Sequence, residues 1–314
     1  MSNNNEQWVV YEGKEGPGKG KHIVFVSGDE EYRSEESLPL LAQIMAVHHG
    51  FKCTVLFAID PETGVIDPVN QTNIPGLENL ETADMMVLSL RFRELPDEQM
   101  KYIIDYTNAG KPVMGLRTAT HSFNYTRNKD SVYAKYDFRS QTFEGGYGRQ
   151  VLGETWINHH GHHGKEATRG IINGTYESHP ILKGVKDVWG PTDVYTVTKL
   201  TGDPEILLYG LVLSGMDPND KPNYDKTIMP LAWTKTYTGD TGNTSRVFCT
   251  TMAASIDLKC EGLRRLLVNG CYWCMEMEDQ IPECSNVDYV TDFEPLYFGF
   301  GTHKKGVRPS DLKL

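Results

Sequence analysis

The sequence predicts an α/β protein with a doubly wound, mainly parallel sheet and helices on both faces of that sheet. Short apolar, β-branched runs alternate with helical patterns through the first half of the chain, and glycine or proline separates one pattern from the next. Strands that alternate with helices are usually joined by right-handed crossovers, so neighbouring strands run parallel. Ligands of such sheets bind beyond the carboxyl ends of the strands.

Each element of the first half has a local signal. The run HIVFVS at 22–27 is typical of a buried strand. The helix that follows has Leu38, Leu41 and Met45 on one face, and Gly50 suits its end. Further strands are predicted at 52–57, 85–90 and 111–117, with a helix at 96–109.

The second half is less regular. Residues 124–165 are rich in Gly, Tyr, Arg and His without strong periodicity, which indicates an insertion or lid. Later strands are predicted at 194–198, 206–213, 229–233 and 247–251, before a cysteine-bearing helix. The predicted organisation is an N-terminal extension at 1–21, one α/β domain at 22–280 and an extended C-terminal tail at 281–314.

Composition excludes several function classes. The 314 residues carry 31 Lys and Arg against 42 Asp and Glu, a net charge of −11, which disfavours binding to nucleic acid or an anionic membrane. No apolar stretch reaches the roughly 20 residues of a membrane helix. We therefore expect a soluble protein with a small-molecule partner, whose assembly into a homo-oligomer stays open. The compartment stays open: the sequence as it stands predicts a cytoplasmic protein, and the mature form of an exported periplasmic protein is the alternative.

Two motifs argue against redox or thiol chemistry. The spacing of Cys271 and Cys274 resembles a zinc or redox motif, but both fall on the apolar stripe of a predicted helix, where cysteine acts as a small hydrophobic residue. No Gly-x-Gly-x-x-Gly follows the first strand, so neither a nicotinamide nor a flavin cofactor is expected.

Charged side chains follow the first and third strands. Asp29 and Glu30 could bind hydroxyl groups, act as a base or ligate a metal, and capping of the next helix is the structural alternative. Arg91 and Arg93 could bind a polar substrate or balance the two carboxylates.

The segment NHHGHHG at 158–164 concentrates four imidazoles in one loop. Imidazole binds zinc and related divalent ions, which polarise carbonyl groups or activate water. Adjacent histidines point apart in an extended chain, so only one member of each pair can reach the same ion. We predict His160 and His162 as the metal ligands. The alternative is a hydrogen-bonded loop with one histidine facing the substrate.

The fourth strand ends in GLRTATH at 115–121, which resembles the nucleophile elbow Gly-x-Cys-x-Gly-x-Gln of class I glutamine amidotransferases. Arg117 stands at the nucleophile position and His121 at the glutamine position, so thiol chemistry is excluded. His121 is a candidate general acid or base. Arg117 could clamp a hydroxyl or polarise a keto oxygen, or pair with a neighbouring carboxylate.

Seven stretches in order resemble the trehalose-utilisation (ThuA-like) family: HIVFVSGDEEYRSEESLP, GLRTATHSF, TWINHHGHHG, HPILKGVKDVWGPTDVY, PLAWTKTY, RVFCTTMAASIDL and GLRRLLVNGCYWC. The resemblance implies a flavodoxin-like, class I glutamine amidotransferase-like fold. It also implies a role in disaccharide catabolism, especially through 3-keto sugars.

These observations lead to two functional hypotheses. The first is an enzyme that enolises a keto-glycoside by acid/base or metal-assisted chemistry, leading to isomerisation, elimination or hydrolysis. The second is a non-catalytic carbohydrate-binding or partner protein. The predicted catalytic residues are His121, Arg117, Glu30 and Asp29, and the predicted substrate-binding residues are Tyr32, Arg91, Arg93, Thr118, His159 and Trp156. The cofactor stays open, with a divalent metal such as zinc at His160 and His162 as the candidate.

Overall fold

One ten-stranded mixed sheet forms the centre of the molecule. The computed structural model describes residues 7–314; residues 1–6, where the predicted N-terminal extension begins, lie outside the described residues. The strand order is β1-β3-β2-β4-β5-β10-β9-β8-β6-β7. The strands are β1 (Trp8–Tyr11), β2 (His22–Gly28), β3 (Lys52–Phe57), β4 (Met85–Leu90), β5 (Val113–Leu116), β6 (Thr168–Ile172), β7 (Trp189–Gly190), β8 (Glu205–Val212), β9 (Met229–Thr238) and β10 (Thr244–Thr250).

Three α-helices of the described chain cover this sheet: α1 (Ser34–His49), α2 (Asp97–Asn108) and α3 (Glu261–Cys274). Buried side chains of α1 and α3, including Ile44 and Leu267, belong to the core on one face. Those of α2, including Ile103, belong to the core on the other face. The helix α1 ends at Gly50, whose φ of 80° is the left-handed conformation that glycine adopts without a Cβ clash.

Half of the sheet is parallel and half is antiparallel. Strands β3, β2, β4, β5 and β10 run parallel to one another, and α1 and α2 supply two of their crossovers. The pairs β10–β9, β9–β8, β8–β6 and β6–β7 are antiparallel, as is β1 with β3.

The predicted helix-rich, doubly wound flavodoxin-like fold is therefore wrong. Only residues 239–243 connect β9 to β10, and no α-helix lies between β8 and β9. Parallel pairing requires a crossover of about a dozen residues or more, usually helical, so these strands pair as antiparallel neighbours. The sequence pattern located these strands but not their direction.

The predicted strand at 194–198 is also wrong. Its backbone forms one isolated bridge, between Tyr195 and His159, and the Val194 carbonyl accepts N–H bonds from His160 and Gly161. Val194 and Val197 are buried against the core, but the histidine-rich loop makes the backbone hydrogen bonds that a neighbouring strand would make.

Two further expectations have structural outcomes. Cys271 and Cys274 are buried on α3 and unpaired by disulfide, which confirms that they pack as hydrophobic residues. Within residues 7–314, no helix combines the length and the apolar character needed to cross a membrane.

Candidate functional site

The candidate site lies where the parallel strands end. Loops after β2, β4, β5 and β10 meet at this edge because the carboxyl ends of parallel strands share one side of a sheet. The loops contain the predicted residues Asp29, Glu30, Arg91 and His121. The chain segments 156–163 and 193–195 complete this edge, because Tyr195 forms its bridge with His159.

Arg117 is the buried centre of this edge. Its φ of 44° is left-handed, and it begins the short helix Arg117–His121 directly after β5. The guanidinium donates to the carbonyls of Asp193 and Thr251 and, through Nη2, to Asp193 Oδ1 at 2.9 Å. Its Cζ lies 4.4 Å from the ring centroid of Tyr32 and 3.9 Å from that of Tyr195. With no exposed surface, Arg117 organises the site without reaching a substrate.

Asp193 joins Arg117 to two histidines. Its Oδ2 lies 2.7 Å from His159 Nδ1, and its Oδ1 lies 3.1 Å from His163 Nδ1. Burial alone would raise the pKa of Asp193, but Arg117 and the hydrogen bonds from the two histidines hold it well below its usual range. Asp193 is therefore an anion that orients two imidazoles.

These imidazoles are accessible. The side chains of His159 and His163 are 36% and 34% exposed, whereas Asp193 is fully buried. The second nitrogen of His163 faces Glu31, with Nε2 3.3 Å from Oε1. No described residue forms a hydrogen bond with His159 Nε2. The arrangement leaves one oriented ring nitrogen free for a substrate.

The structure separates the predicted metal ligands from this cluster. His160 Nε2 lies 2.8 Å from the Thr227 carbonyl, and His162 is exposed, with its backbone N–H bonded to Glu166. The loop instead brings together His159 and His163, the other member of each pair. Among the described residues, these two histidines and Asp193 offer ligand atoms within 4.8 Å of one another.

Asp29 and Thr118 hold the loops together. Asp29 Oδ1 accepts the N–H groups of Glu31 and Tyr32, and its Oδ2 accepts the Thr118 hydroxyl at 2.6 Å. Asp29 is fully buried. Asp29 therefore holds the turn that precedes α1 and does not cap that helix, whose N-cap residue is Arg33.

Glu30 pairs with both predicted arginines. Its Oε1 bonds Arg91 and its Oε2 bonds Arg93. Arg93 is fully buried and also donates to the carbonyls of Arg91, Pro68 and Asn70. Arg91 keeps a 16% exposed side chain and also contacts Glu31. Of these two arginines, only Arg91 has surface that a ligand could contact.

His121 lies within an aromatic group at the same edge. Its ring centroid is 5.0 Å from Phe92, 5.4 Å from Trp156 and 6.1 Å from Tyr195. Burial, and then the charges of Arg91 and Arg117, hold the pKa of His121 well below its usual value. The imidazole is therefore neutral. The rings of Trp156 and Tyr195, which contact His121, also contact His159.

The C-terminal segment also reaches the site, which the sequence did not predict. The Phe298 ring lies 5.1 Å from His163 and 5.6 Å from Tyr32, centroid to centroid. Tyr32, predicted to bind substrate, is only 2% exposed beneath these rings. A separate cavity of about 170 Å³ lies between α1 and residues 291–295. None of His159, His163 and Asp193 lines it, so this cavity is not part of the candidate site.

Sequence reasoning missed Asp193, His163 and Glu31 as members of the site. Their one signal was the symmetry of NHHGHHG, in which the outer histidines His159 and His163 are four residues apart. Nothing local indicates that this loop pairs with residues 194–196 and so approaches Asp193.

Solved structures show what this architecture resembles. A protein from Parabacteroides merdae described as ThuA-like superposes with a TM-score of 0.51 and 18% identity, covering 82% of this chain and 90% of that one. The chain has a ThuA-like fold. A second protein described as ThuA-like, from Bacteroides uniformis, gives a TM-score of 0.48 and 14% identity over 83% of this chain and 93% of its own.

The ThuA-like resemblance read from the sequence is confirmed at the level of the fold. No protein-family model matches the sequence, and no curated protein matches it either. What a chain with this fold and this histidine cluster does must be argued from its own residues.

Proposed function

We propose that this ThuA-like chain is an enzyme of carbohydrate catabolism that removes a proton beside the carbonyl group of an oxidised sugar, such as a keto-glycoside. The supporting observation is the hydrogen-bonded cluster of Asp193, His159 and His163. A buried carboxylate that orients a part-exposed imidazole is a standard arrangement for a general base.

His159 is the proposed base. Because Asp193 is ionised and can only accept, His159 Nδ1 carries the proton of their 2.7 Å hydrogen bond. The neutral ring then has a lone pair on Nε2, and that nitrogen receives the proton from carbon. A carbonyl at C3 of a sugar acidifies the C2–H bond, so the electron pair left at C2 delocalises onto the keto oxygen as an enolate.

Two other histidines lie near His159 in this proposal. His163 has both nitrogens near carboxyl groups, of Asp193 and Glu31, so these two groups hold its ring in place beside His159. Neutral His121 lies across Trp156 and could donate its N–H as a hydrogen bond to the enolate oxygen, while protonated His159 returns the proton it took. Reprotonation gives isomerisation, and loss of the C1 oxygen substituent gives elimination.

The same cluster offers a second, metal-assisted form of the proposal, in which His159 would ligate a divalent transition metal and would not be the base. Two imidazoles and a carboxylate are zinc ligands, and Asp193 Oδ2 is not the oxygen that Arg117 Nη2 contacts. A bound ion would polarise the keto oxygen. We propose zinc binding by His159, His163 and Asp193, in place of the His160 and His162 pair inferred from the sequence.

Metal binding is tested by calorimetric titration of zinc into chelator-treated protein. We expect one zinc per chain in the wild type and at least tenfold weaker binding in His163→Ala. His160→Ala and His162→Ala are matched controls from the same loop and should bind as the wild type does. Equal binding by His163→Ala and the wild type would exclude this ligand set.

The decisive experiment for activity is NMR of 3-keto-trehalose in deuterated water with purified protein. We expect deuterium at C2, or new products, at a rate that falls at least about 100-fold in His159→Ala. His160→Ala is again the control, because its ring bonds only the Thr227 carbonyl. Repeating the reaction after chelation separates metal-assisted from metal-free chemistry.

The alternative, a non-catalytic carbohydrate-binding or partner protein, predicts a different result. The wild type would then bind the sugar without deuterium exchange or product, and His159→Ala would change affinity alone. That outcome would remove the enzyme proposal and keep the binding protein.

A further inference from the structure

Residues 296–303 are tied to the candidate site at several points. The Leu296 N–H donates to Glu36 at 2.8 Å, and the Gly299 N–H donates to the Glu31 carbonyl at 2.8 Å. The buried guanidinium of Arg33 donates to the Gly299 carbonyl and the Thr302 hydroxyl. The segment therefore has a defined position beside the loop that follows β2.

Three aromatic side chains lie on this segment. Tyr297 and Phe298 have ring centroids 4.5 Å apart, and Phe298 contacts His163. Phe300 lies over Arg91, with the guanidinium carbon 5.1 Å from the ring centroid. Arg91 in turn pairs with Glu31, whose other oxygen faces His163. Both sides of the segment thus connect to the proposed catalytic cluster.

The exposure of these rings needs a physical reason. Phe300 is 60% exposed and Tyr297 is 47% exposed. Across residues 7–314, no other phenylalanine is as exposed as Phe300. Leaving an aromatic face in water forfeits roughly 25 cal/mol for each Å² that could be buried. Neighbouring exposed apolar side chains at a site commonly mark a binding surface.

The polar groups beside Phe300 indicate which class of ligand this surface could bind. Arg91 and Glu30 form an ion pair with side chains 16% and 13% exposed, directly beside Phe300. A pyranose ring presents C–H groups on its faces, which pack on aromatic rings, and hydroxyls on its perimeter, which bond to Arg and Glu. A few polar groups next to an apolar surface are typical of small-ligand sites.

We propose that Tyr297, Phe298 and Phe300, together with Arg91, form a subsite that holds the second sugar ring of a disaccharide or glycoside while the first ring lies at His159. This inference rests on the proposed function and adds the residues that would hold the second ring of the glycoside. Tyr297 and Phe300 supply the exposed faces, and Phe298 holds the segment against His163.

Binding of sugars that cannot react tests the subsite without requiring turnover. Saturation-transfer NMR titrations would use trehalose and glucose with the wild type and the Tyr297→Ala/Phe300→Ala double variant. We expect trehalose affinity to fall at least tenfold in the double variant, with glucose affinity unchanged. Because both side chains are exposed, the double variant should fold normally, as circular dichroism would verify.

Two variants sharpen the comparison. Tyr297→Phe/Phe300→Tyr keeps both rings and should bind trehalose as the wild type does. Tyr224→Ala removes a tyrosine that is 85% exposed outside this segment and should also have no effect. Equal trehalose affinity in the wild type and the double alanine variant, or no trehalose binding by the wild type, would overturn the subsite.

The outcomes also separate this inference from the proposed function. Trehalose binding that depends on the two rings, without deuterium exchange on 3-keto-trehalose, would keep the subsite and remove the catalytic proposal. Deuterium exchange with kcat and KM unchanged in the double alanine variant would keep catalysis and remove the subsite.

Discussion

At the scale of single residues, Asp193 has the largest influence on the site. It accepts from one buried guanidinium and two imidazoles, so its carboxylate fixes both the charge and the orientation of the cluster. Arg117 has no exposed surface and depends on this partner for charge compensation. A buried ion pair is costly to break because the remaining charge is left uncompensated.

Asp193→Asn should therefore destabilise the protein strongly. We expect a loss of about 3–5 kcal/mol in the free energy of unfolding, measured by urea denaturation at pH 7. Asp105→Asn, which removes an exposed i,i+4 pair with Lys101, is the matched control and should cost less than about 0.5 kcal/mol. A similar loss in both variants would contradict the role given to Asp193.

The pH dependence gives Asp193→Asn a second readout. The pKa of Asp193 is lower in the folded chain than in the unfolded chain, where it is about 3.9. Its contribution is thus complete above that value and lost as the pH falls below it. The wild type should lose stability between about pH 4 and pH 2 more steeply than Asp193→Asn. Parallel curves would argue against a depressed pKa.

At the scale of elements, the π-helix Gly148–Leu152 packs against the elbow after β5. A Cβ at Gly148 would lie 2.1 Å from the Thr120 carbonyl oxygen, which is too close for any real contact. Gly174, by comparison, has nothing within 4 Å of the same position.

Gly148→Ala should consequently shift the elbow that carries His121. We expect about 2–4 kcal/mol of destabilisation from the backbone displacement, and a change smaller than about 1 kcal/mol in Gly174→Ala. Thermal and urea unfolding of both variants would measure this difference. If Gly148→Ala were as stable as Gly174→Ala, the close approach of the two segments would be wrong.

The helix α1 carries a second testable feature, the buried carboxyl of Glu35. Neither of its oxygens has a hydrogen-bond partner in another residue, and burial raises the pKa of Glu35 to about 8. Because the unfolded pKa is about 4.3, the unfolded chain releases this proton first as the pH rises. The group therefore costs stability progressively between about pH 4.3 and pH 8.

Glu35→Gln, which cannot ionise, should remove that cost. Relative to the wild type, the variant should gain up to about 1.4 kcal/mol of unfolding free energy per pH unit across this range, with no gain below pH 4. Urea denaturation at pH 4, 6 and 8 would measure the trend. A difference that does not change with pH would show that Glu35 ionises normally.

At the scale of the whole molecule, the C-terminal segment links distant parts of the chain. It bonds the loop after β2 through Gly299, and the Leu312 carbonyl accepts the hydroxyl of Tyr11 from the edge strand β1. It also supplies acceptors to Arg33, which is fully buried. The segment therefore belongs to the packed structure and to the rim of the candidate site.

Deletion of residues 296–314 should lower Tm by at least about 5 °C, because Arg33 loses its acceptors on Gly299 and Thr302 and keeps only the Glu30 carbonyl. Arg33→Ala should then cost less in the truncated chain than in the full chain, which a double-mutant cycle by calorimetry would measure. Additive effects would show that the segment stabilises the molecule independently of Arg33.

Local patterns were sufficient for most elements of this chain. The apolar runs at 22–27, 52–57 and 85–90 became strands, because hydrophobic side chains and β-branching act over a few residues. The same kind of pattern wrongly predicted a strand at 194–198, where the backbone instead forms hydrogen bonds with the histidine-rich loop. Strand direction in the second half also lay outside the local pattern.

The sequence by itself located most of the strands and the three α-helices, but not β1, β6 or β7, and it showed that charged and histidine side chains follow the strands. Tertiary structure decided that half of the sheet is antiparallel, and that His159 and His163, rather than His160 and His162, meet Asp193. It also decided that Phe298 reaches the site from the end of the chain. The physical reason is range: propensity and burial act between near neighbours, whereas pairing of residues 158–161 with 194–196 depends on packing across the whole fold.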